Sequence, residues 1–393
     1  MKKIFIMNLG TTSFKFKLYH VDGDSMDVRA SGDIESVGAS ESRWQYEYAD
    51  GRSNSGVSPI PDHGAGFTLF LEALQRDGML ESLEDLNAVG YKAVHGGNLS
   101  GTRLVDDELL AEMERVSPLA PAHNPIYLSA IRSIRQEYPD LLQIARFETS
   151  FHATIPDCRT TYGVPYAWRQ EYGVRKYGFH GSSHEYIART MEKLQPAARR
   201  VISCHLGGSS SICAILDGQS IATSMGATPQ SGLFHNNRVG DFDIFCLPLL
   251  TEKLNCSAEG VLSALGKQGG LLGLSGVSND LRHVLEAADG GNQQAQLAVD
   301  TLVDNIVGYI GMYTAYLGGL DALVFTGGIG LNSDVIRSLV CEKLTFMGIT
   351  LDPEANAGRT DGCVTTADSK VSVWRLKTDE ESIVAQNVCK MLP

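Results

Sequence analysis

Three glycine-rich loops follow short apolar runs at residues 10–13, 207–211 and 327–330. Glycine lets a backbone approach a phosphate closely, and the hydroxyls beside it add donors. The first two loops lack the GK[ST] ending and run into a strand pattern where a helix would be needed, so neither is a Walker loop. The third runs into a helical pattern with Asn332 or Ser333 as N-cap. Each loop alone reads equally well as a plain turn; the three together point to a phosphate grip. Two cations stand in suitable surroundings. Lys92 lies inside the apolar strand pattern GYKAV, where a charge needs a partner, either an anionic substrate or a structural ion pair. Arg238 lies in the loop NNRVGD, where functional residues concentrate. His123 (AHNP) and His180 (YGFHGSSH) sit in loops, and Glu148 (FETSFH) stands near two aromatics. Glu380 and Glu381 read equally as an exposed helix start.

These residues need elements to position them. Residues 4–7 form a buried strand pattern. A hydroxyl-rich turn over 8–13 follows, then Phe14, Phe16 and Leu18 alternate with Lys15, Lys17 and Tyr19 as a period-two strand. The pattern returns at 201–218, so that NLGTTSFKFKLYHVDG and HLGGSSSICAILDG read as one unit used twice. A repeat half a chain apart predicts duplicated domains. Strand–loop–strand phosphate grips, one per duplicated domain, resemble the actin-like ATPase arrangement. An apolar face through Leu302, Val303, Ile306, Val307, Ile310 and Leu317 predicts a helix ending at Gly318. Prolines mark loops at 59–61 and 118–125, and residues 38–58 are exposed strands or a loop. The first domain ends near Phe151.

The chain has 393 residues, enough for two domains. Its net charge of −13 argues against nucleic-acid binding. No apolar run approaches the roughly 20 residues of a membrane span, and the apolar stretch within residues 1–7 is too short for a signal peptide. Eight cysteines, with no CxxC pair, read as reduced cytoplasmic thiols.

The stretches NLGTTSFKF, VHGG, PLAPAHNP, FETSFH, YGFHGSSH, CHLGGSSS, TSMGATP, GLFHNNRVGD, GLLGLSGVSNDLR, FTGGIGLN and TDEESIVAQ, in this order, resemble the acetate kinase (acetokinase) family from about Asn8 to Glu381. The resemblance implies an α/β, duplicated actin-like ATPase fold of the sugar kinase, Hsp70 and actin kind, with two domains and a central cleft. The domains would be residues 1–150, completed by 380–393, and residues 151–379 on the nucleotide and dimer side. It further implies a cytoplasmic homodimer that moves a phosphoryl group between ATP and a small carboxylate with Mg²⁺, returning ADP.

Carried over by position, Asn8 and a C-terminal acid, Glu380 or its neighbour Glu381, would hold Mg²⁺ directly or through water. Ser13 and Lys15 would belong to the first phosphate loop, and His205, Gly207, Gly208 and Ser209 to the second. Arg238 and Lys92 would bind carboxylate and transferring phosphoryl. His180 would stabilise that phosphoryl, and Glu148 would orient groups or help hold metal. Val94, Ala122, His123, Phe179 and Pro229 would form the acid pocket. Asp280, Leu281, Arg282, Gly327, Gly328, Gly330 and Asn332 would hold the nucleotide.

The chain departs from the family pattern at the site itself. Lys92 stands for the usual Arg, which grips two oxygens where Lys does not. Glu148 stands for Asp, Ala122 for Leu, Gly208 for Asn, Leu331 for Glu, and Asn236-Asn237 for a small Gly-Thr-like pair. Three readings follow. The first is a working acyl kinase for acetate, propionate or a larger acid. The second is the same fold with another phosphoryl donor or acceptor, such as pyrophosphate. The third is a non-catalytic nucleotide binder.

Overall fold

The computed structural model describes residues 1–23 and 25–392. The chain divides into two compact units, residues 1–150 with 379–393, and residues 151–378.

The N-terminal unit is built on an eight-stranded sheet. Its strands are β1 (Lys2–Leu9), β2 (Ser13–Asp22), β3 (Ser25–Glu35), β4 (Ser42–Tyr48), β5 (Ser53–Ser58), β6 (Ala88–Ala93), β7 (Thr102–Leu104) and β8 (Gln143–Phe147). They lie in the order β5-β4-β3-β2-β1-β6-β8-β7. Strands β1 to β3 form an antiparallel meander, and β6 and β8 add in parallel beyond β1. The apolar run at 4–7 is continuous because β1 is covered on both faces. Phe5 and Met7 join a core that holds Phe67 and Phe70 of the helix His63–Arg76 and Tyr127 and Ile131 of the helix Asn124–Glu137. Ile4 and Ile6 pack on the other face with Val384, Ala385 and Val388 of the helix Glu380–Cys389. That helix lies close to the sheet: a Cβ on Gly90 would come within 2.8 Å of Val388 and 2.6 Å of Ile6.

The C-terminal unit carries a six-stranded sheet of β9 (Arg200–His205), β10 (Ser211–Leu216), β11 (Gln219–Thr223), β12 (Ala322–Thr326), β13 (Gly362–Cys363) and β14 (Ser372–Arg375). Its order is β11-β10-β9-β12-β14-β13. Strands β9 to β11 again make an antiparallel meander, and β12 and β14 again add in parallel beyond the first strand. The helix Gln293–Leu317 covers one face with Leu302, Val303, Ile306 and Ile310 and ends at Gly318 in the left-handed region. The helix Gly181–Leu194 covers the other with Ile187, Ala188 and Met191. Both sheets therefore share one arrangement, a meander of three strands extended by two parallel ones, with a glycine loop joining the first two strands. This is the duplicated actin-like α/β fold.

Two local expectations change. Residues 118–125 are not one loop: Ser117–Leu119 is a 3₁₀ turn, and Pro125 sits in the first turn of the helix Asn124–Glu137. Proline is tolerated there because the first-turn amides have no partner to lose. Tyr19 does not face water with Lys15 and Lys17. It is 1% exposed, because the C-terminal helix roofs that end of the sheet.

Since Ile6 is wholly buried between the sheet and that helix, Ile6→Ala is expected to cost about 2–5 kcal/mol. Guanidinium unfolding followed by circular dichroism measures it; a loss below about 1 kcal/mol would mean that the helix does not seal this face.

Candidate active site

In the N-terminal unit the C-terminal acids meet the ends of two strands. Asn8, near the end of β1, donates from Nδ2 to Glu381 Oε1 at 2.9 Å. Lys92, near the end of β6, places Nζ 2.5 Å from Glu380 Oε2. Glu148 follows β8 directly; its amide donates to Ala93 O at 2.9 Å, and the residue is 5% exposed. Burial alone would lower the Lys92 pKa, but Glu380, Glu148 and Glu381 outweigh it and hold the pKa above the usual lysine range. Lys92 is therefore an ammonium at neutral pH, already embedded among carboxylates. Lys17 extends the cluster by pairing with Asp379 at 2.8 Å and Glu381 at 3.7 Å.

Other expected residues of this unit lie around these groups. His63 Nε2 sits 3.0 Å from Gly10 O and 3.2 Å from Ser13 O, which pins the first glycine turn. Lys15 is on β2, not in the loop; with Lys17, Gln45 and Glu47 it lines a polar cavity of about 730 Å³. Val94 packs partly against the core, Ala122 is exposed, and His123 precedes the helix Asn124–Glu137 as its N-cap.

The C-terminal unit holds a chain of histidines and serines. His180 has a φ of +57° and starts the helix Gly181–Leu194. A non-glycine residue in this region carries strain, which concentrates at functional sites. Its Nδ1 lies 2.8 Å from Ser211 Oγ. The same hydroxyl lies 2.8 Å from His184 Nε2, whose Nδ1 is 2.9 Å from Ser203 Oγ. The His180 ring stacks on His205 at 4.3 Å, and His205 Nδ1 lies 2.7 Å from Ser183 Oγ. Burial pushes His184 well below the usual histidine range and His152 down to about 4, so both are neutral props. Phe179 O lies 2.9 Å from His152 Nε2, which fixes the turn leading into His180.

Beside this chain the second and third glycine loops meet. Leu206 O accepts from Ile329 and Gly330, and Leu206 N donates to Thr326 O. Gly327 has a φ of +74°, and a Cβ there would lie 2.5 Å from Leu206 O, so only glycine fits. Residues 327–332 form a short helix, and Ser333, not Asn332, caps the next one, accepting from Ile336 at 3.2 Å. Arg238 donates to Ser209 Oγ at 3.2 Å and Pro229 O at 3.4 Å. Among the described residues it has no carboxylate partner. Asp280 caps the helix Leu281–Asp289 and pairs with exposed Arg282, while Leu281 is buried in the core.

Several supporting residues carry little or no signal in the sequence. Arg337 is 1% exposed and donates to the carbonyls of Gly330, Leu331 and Asn356. Arg375 and Arg359 take the carbonyls of Leu331 and Asn332. Three guanidinium groups thus close the end of the third loop. His184 could have been read from its place four residues after His180 on one helix face. His235 has no such signal; its Nδ1 accepts from the Ser210 amide at 2.7 Å.

Known proteins resemble this chain over nearly its whole length. The acetokinase family model matches residues 3–386. An acetate kinase from Halothermothrix orenii is 38% identical over 397 residues, covering 99% of each chain. A propionate kinase from Citrobacter rodentium is 40% identical over 402 residues, covering 99% of this chain and 96% of that one. The crystal structure of Porphyromonas gingivalis acetate kinase matches with a TM-score of 0.88 at 36% identity, covering 100% of both chains. A propionate kinase structure from Francisella tularensis gives 0.88 at 32% identity, covering 98% and 99%.

The neutral histidines make stability depend on pH. His152 titrates near 4 when folded, below its ordinary value of 6.5. As pH falls, the unfolded chain takes up this proton first. The contribution is complete above about pH 6.5 and is lost towards pH 4, roughly 2 kcal/mol at pH 5. Guanidinium midpoints at pH 7 and 5 are expected to show this fall, with a shallower slope in His152→Asn; equal slopes would mean that His152 is not the source.

Proposed function

We propose that this chain, which belongs to the acetokinase family, reversibly transfers the terminal phosphoryl group of ATP to acetate or propionate, giving an acyl phosphate and ADP. The family makes it a short-chain carboxylate kinase, a phosphotransferase with a carboxyl acceptor. The observation that carries the finer reading is Arg238. It is partly withdrawn from water, bonded to a hydroxyl of the second glycine loop, and without a carboxylate among the described residues. A charge half-withdrawn from water with no carboxylate beside it favours an anionic ligand. A transferring phosphoryl group, with its charge spread over three oxygens, meets that need.

The other roles follow from chemistry. A carboxylate is ionised at neutral pH and needs no strong base. The work left to the protein is positioning and charge neutralisation. His180, locked by Ser211 and stacked on His205, would donate to the phosphoryl. Lys92 would hold the carboxylate, kept charged and oriented by Glu148 and Glu380. The glycine loops would hold the phosphates of the nucleotide, and the stretch around Asp280 its nucleoside. Val94, Ala122, His123, Phe179 and Pro229 are proposed to select the acid. Alanine at 122 leaves room for an alkyl group larger than methyl, a preference worth about 1–3 kcal/mol per methylene.

The donors present fit Mg²⁺. Asn8, Glu380 and Glu381 offer hard oxygens, and no group of three or more His, Cys, Asp or Glu able to hold an ion by itself exists among the described residues. Magnesium is commonly held by one or two carboxylates together with substrate phosphates. Bound there, it would supply charge neutralisation on the phosphates. Neither another phosphoryl donor nor a non-catalytic role is favoured. A homodimer is proposed from the apolar surface at Ile244, Phe245 and Leu249, 66%, 88% and 56% exposed. A cytoplasmic setting is proposed from eight unpaired cysteines.

Incubation with Mg-ATP and acetate, propionate or butyrate, with acyl phosphate trapped as hydroxamate, is expected to give product. No product from an enzyme that binds Mg-ATP would overturn the reading. Arg238→Ala is expected to lower kcat/KM by roughly 100- to 1000-fold; near-normal turnover would remove its role. Lys92→Arg is expected to keep or improve acetate use. Collapse of that activity would show a pocket rebuilt around lysine.

A further inference from the structure

The second glycine loop is held residue by residue from one short segment, 235–238. Asn236 N donates to Gly208 O at 3.4 Å, and its side-chain amide lies 3.5 Å from where a Cβ on Gly208 would stand. Arg238 holds Ser209 Oγ. His235 holds the Ser210 amide through Nδ1 at 2.7 Å, a short bond for a neutral acceptor. The segment is itself rigid at His235, whose N–H donates to Arg238 O at 3.0 Å and whose C=O accepts from Leu271 N at 2.9 Å. The ring is 2% exposed. Because Nδ1 accepts, the ring proton sits on Nε2, which has no hydrogen-bond partner among the described residues. Burial and the neighbouring Arg238 push its pKa down to about 3, so the acceptor survives at every working pH.

This arrangement sorts the amides of the loop. Ser210 N–H is taken by His235, and Gly207 N–H by Ser210 Oγ at 3.1 Å. The amides of Gly208 and Ser209, between those two fixed points, donate to no group among the described residues. Adjacent free amides beside a guanidinium form a concave donor set for an oxyanion. Their directions depend on how firmly the flanking amides are held.

We propose that His235 is a positioning residue for the nucleotide: by fixing the Ser210 amide it aims the Gly208 and Ser209 amides at a phosphate oxygen. The inference rests on the reading of this loop as the phosphate holder of a carboxylate kinase. It assigns to His235 an effect on nucleotide affinity that the carboxylate side does not share.

Two variants separate hydrogen bonding from packing. His235→Leu keeps bulk and removes the acceptor; His235→Asn keeps an acceptor close to Nδ1. An amide left without its acceptor predicts a rise of about tenfold in the KM for ATP and the Kd for ADP in His235→Leu. The carboxylate KM is expected to stay within about twofold, and His235→Asn to recover most of the nucleotide affinity. Unchanged ADP binding in His235→Leu, or a His235→Asn as defective as His235→Leu, overturns the proposal. Amide exchange in the wild-type enzyme tests it without any variant. The Ser210 amide is expected to be protected before nucleotide is added, and Gly208 and Ser209 to become protected only with ADP. Fast exchange at Ser210 without nucleotide overturns it, even if His235→Leu fails to fold. A wild-type enzyme that neither binds ADP nor forms hydroxamate would instead defeat the kinase reading itself.

Discussion

A positive charge drawn out of water must be matched, and the chain answers this demand in two ways. In the N-terminal unit the match is internal, since Lys92 pairs with Glu380 and has Glu148 and Glu381 near it. In the C-terminal unit Arg238 receives, among the described residues, a hydroxyl and a carbonyl. The glycine loops, the strained turn at His180 and the arginines behind residues 330–332 are the means by which each fold keeps its charges and donors in place.

The departures from the family pattern make more sense beside this electrostatics than one at a time. Lysine at 92 is shorter than arginine and holds one oxygen at a time. Glutamate at 148 is longer than aspartate by one methylene. The shorter cation and the longer acid are electrostatic neighbours, since Glu148 helps to hold the Lys92 pKa up.

What could be read from sequence was what is local. A strand, a hydroxyl-rich turn and a second strand recur with the same periodicity, and the two sheets bear out that repeat through β1–β2 and β9–β10. Lys92 left two partners open, an anion or a carboxylate; its ion pair is with Glu380, far away in sequence, which no spacing rule could reach. Arg337 carries no signal of burial in the sequence, yet it is buried where it donates to the carbonyls of Gly330 and Leu331. His235 sits in a run that reads as a loop, and only the approach of Ser210 gives its ring a task. Tyr19 was misread because its period-two neighbours are polar, while the helix that covers it lies at the other end of the chain.

That helix, Glu380–Cys389, belongs to the N-terminal unit although the whole C-terminal unit precedes it in the chain. During synthesis the face of β1 bearing Ile4 and Ile6 is made long before residues 380–389 and stays uncovered until they emerge. Domains generally fold as units as they appear, and apolar surface left exposed meanwhile invites aggregation. Here the intervening unit can complete its own sheet first, while the earlier one stays open on one side. A released chain cut just before residue 380 would hold every strand of the C-terminal sheet beside an N-terminal sheet left open on one face.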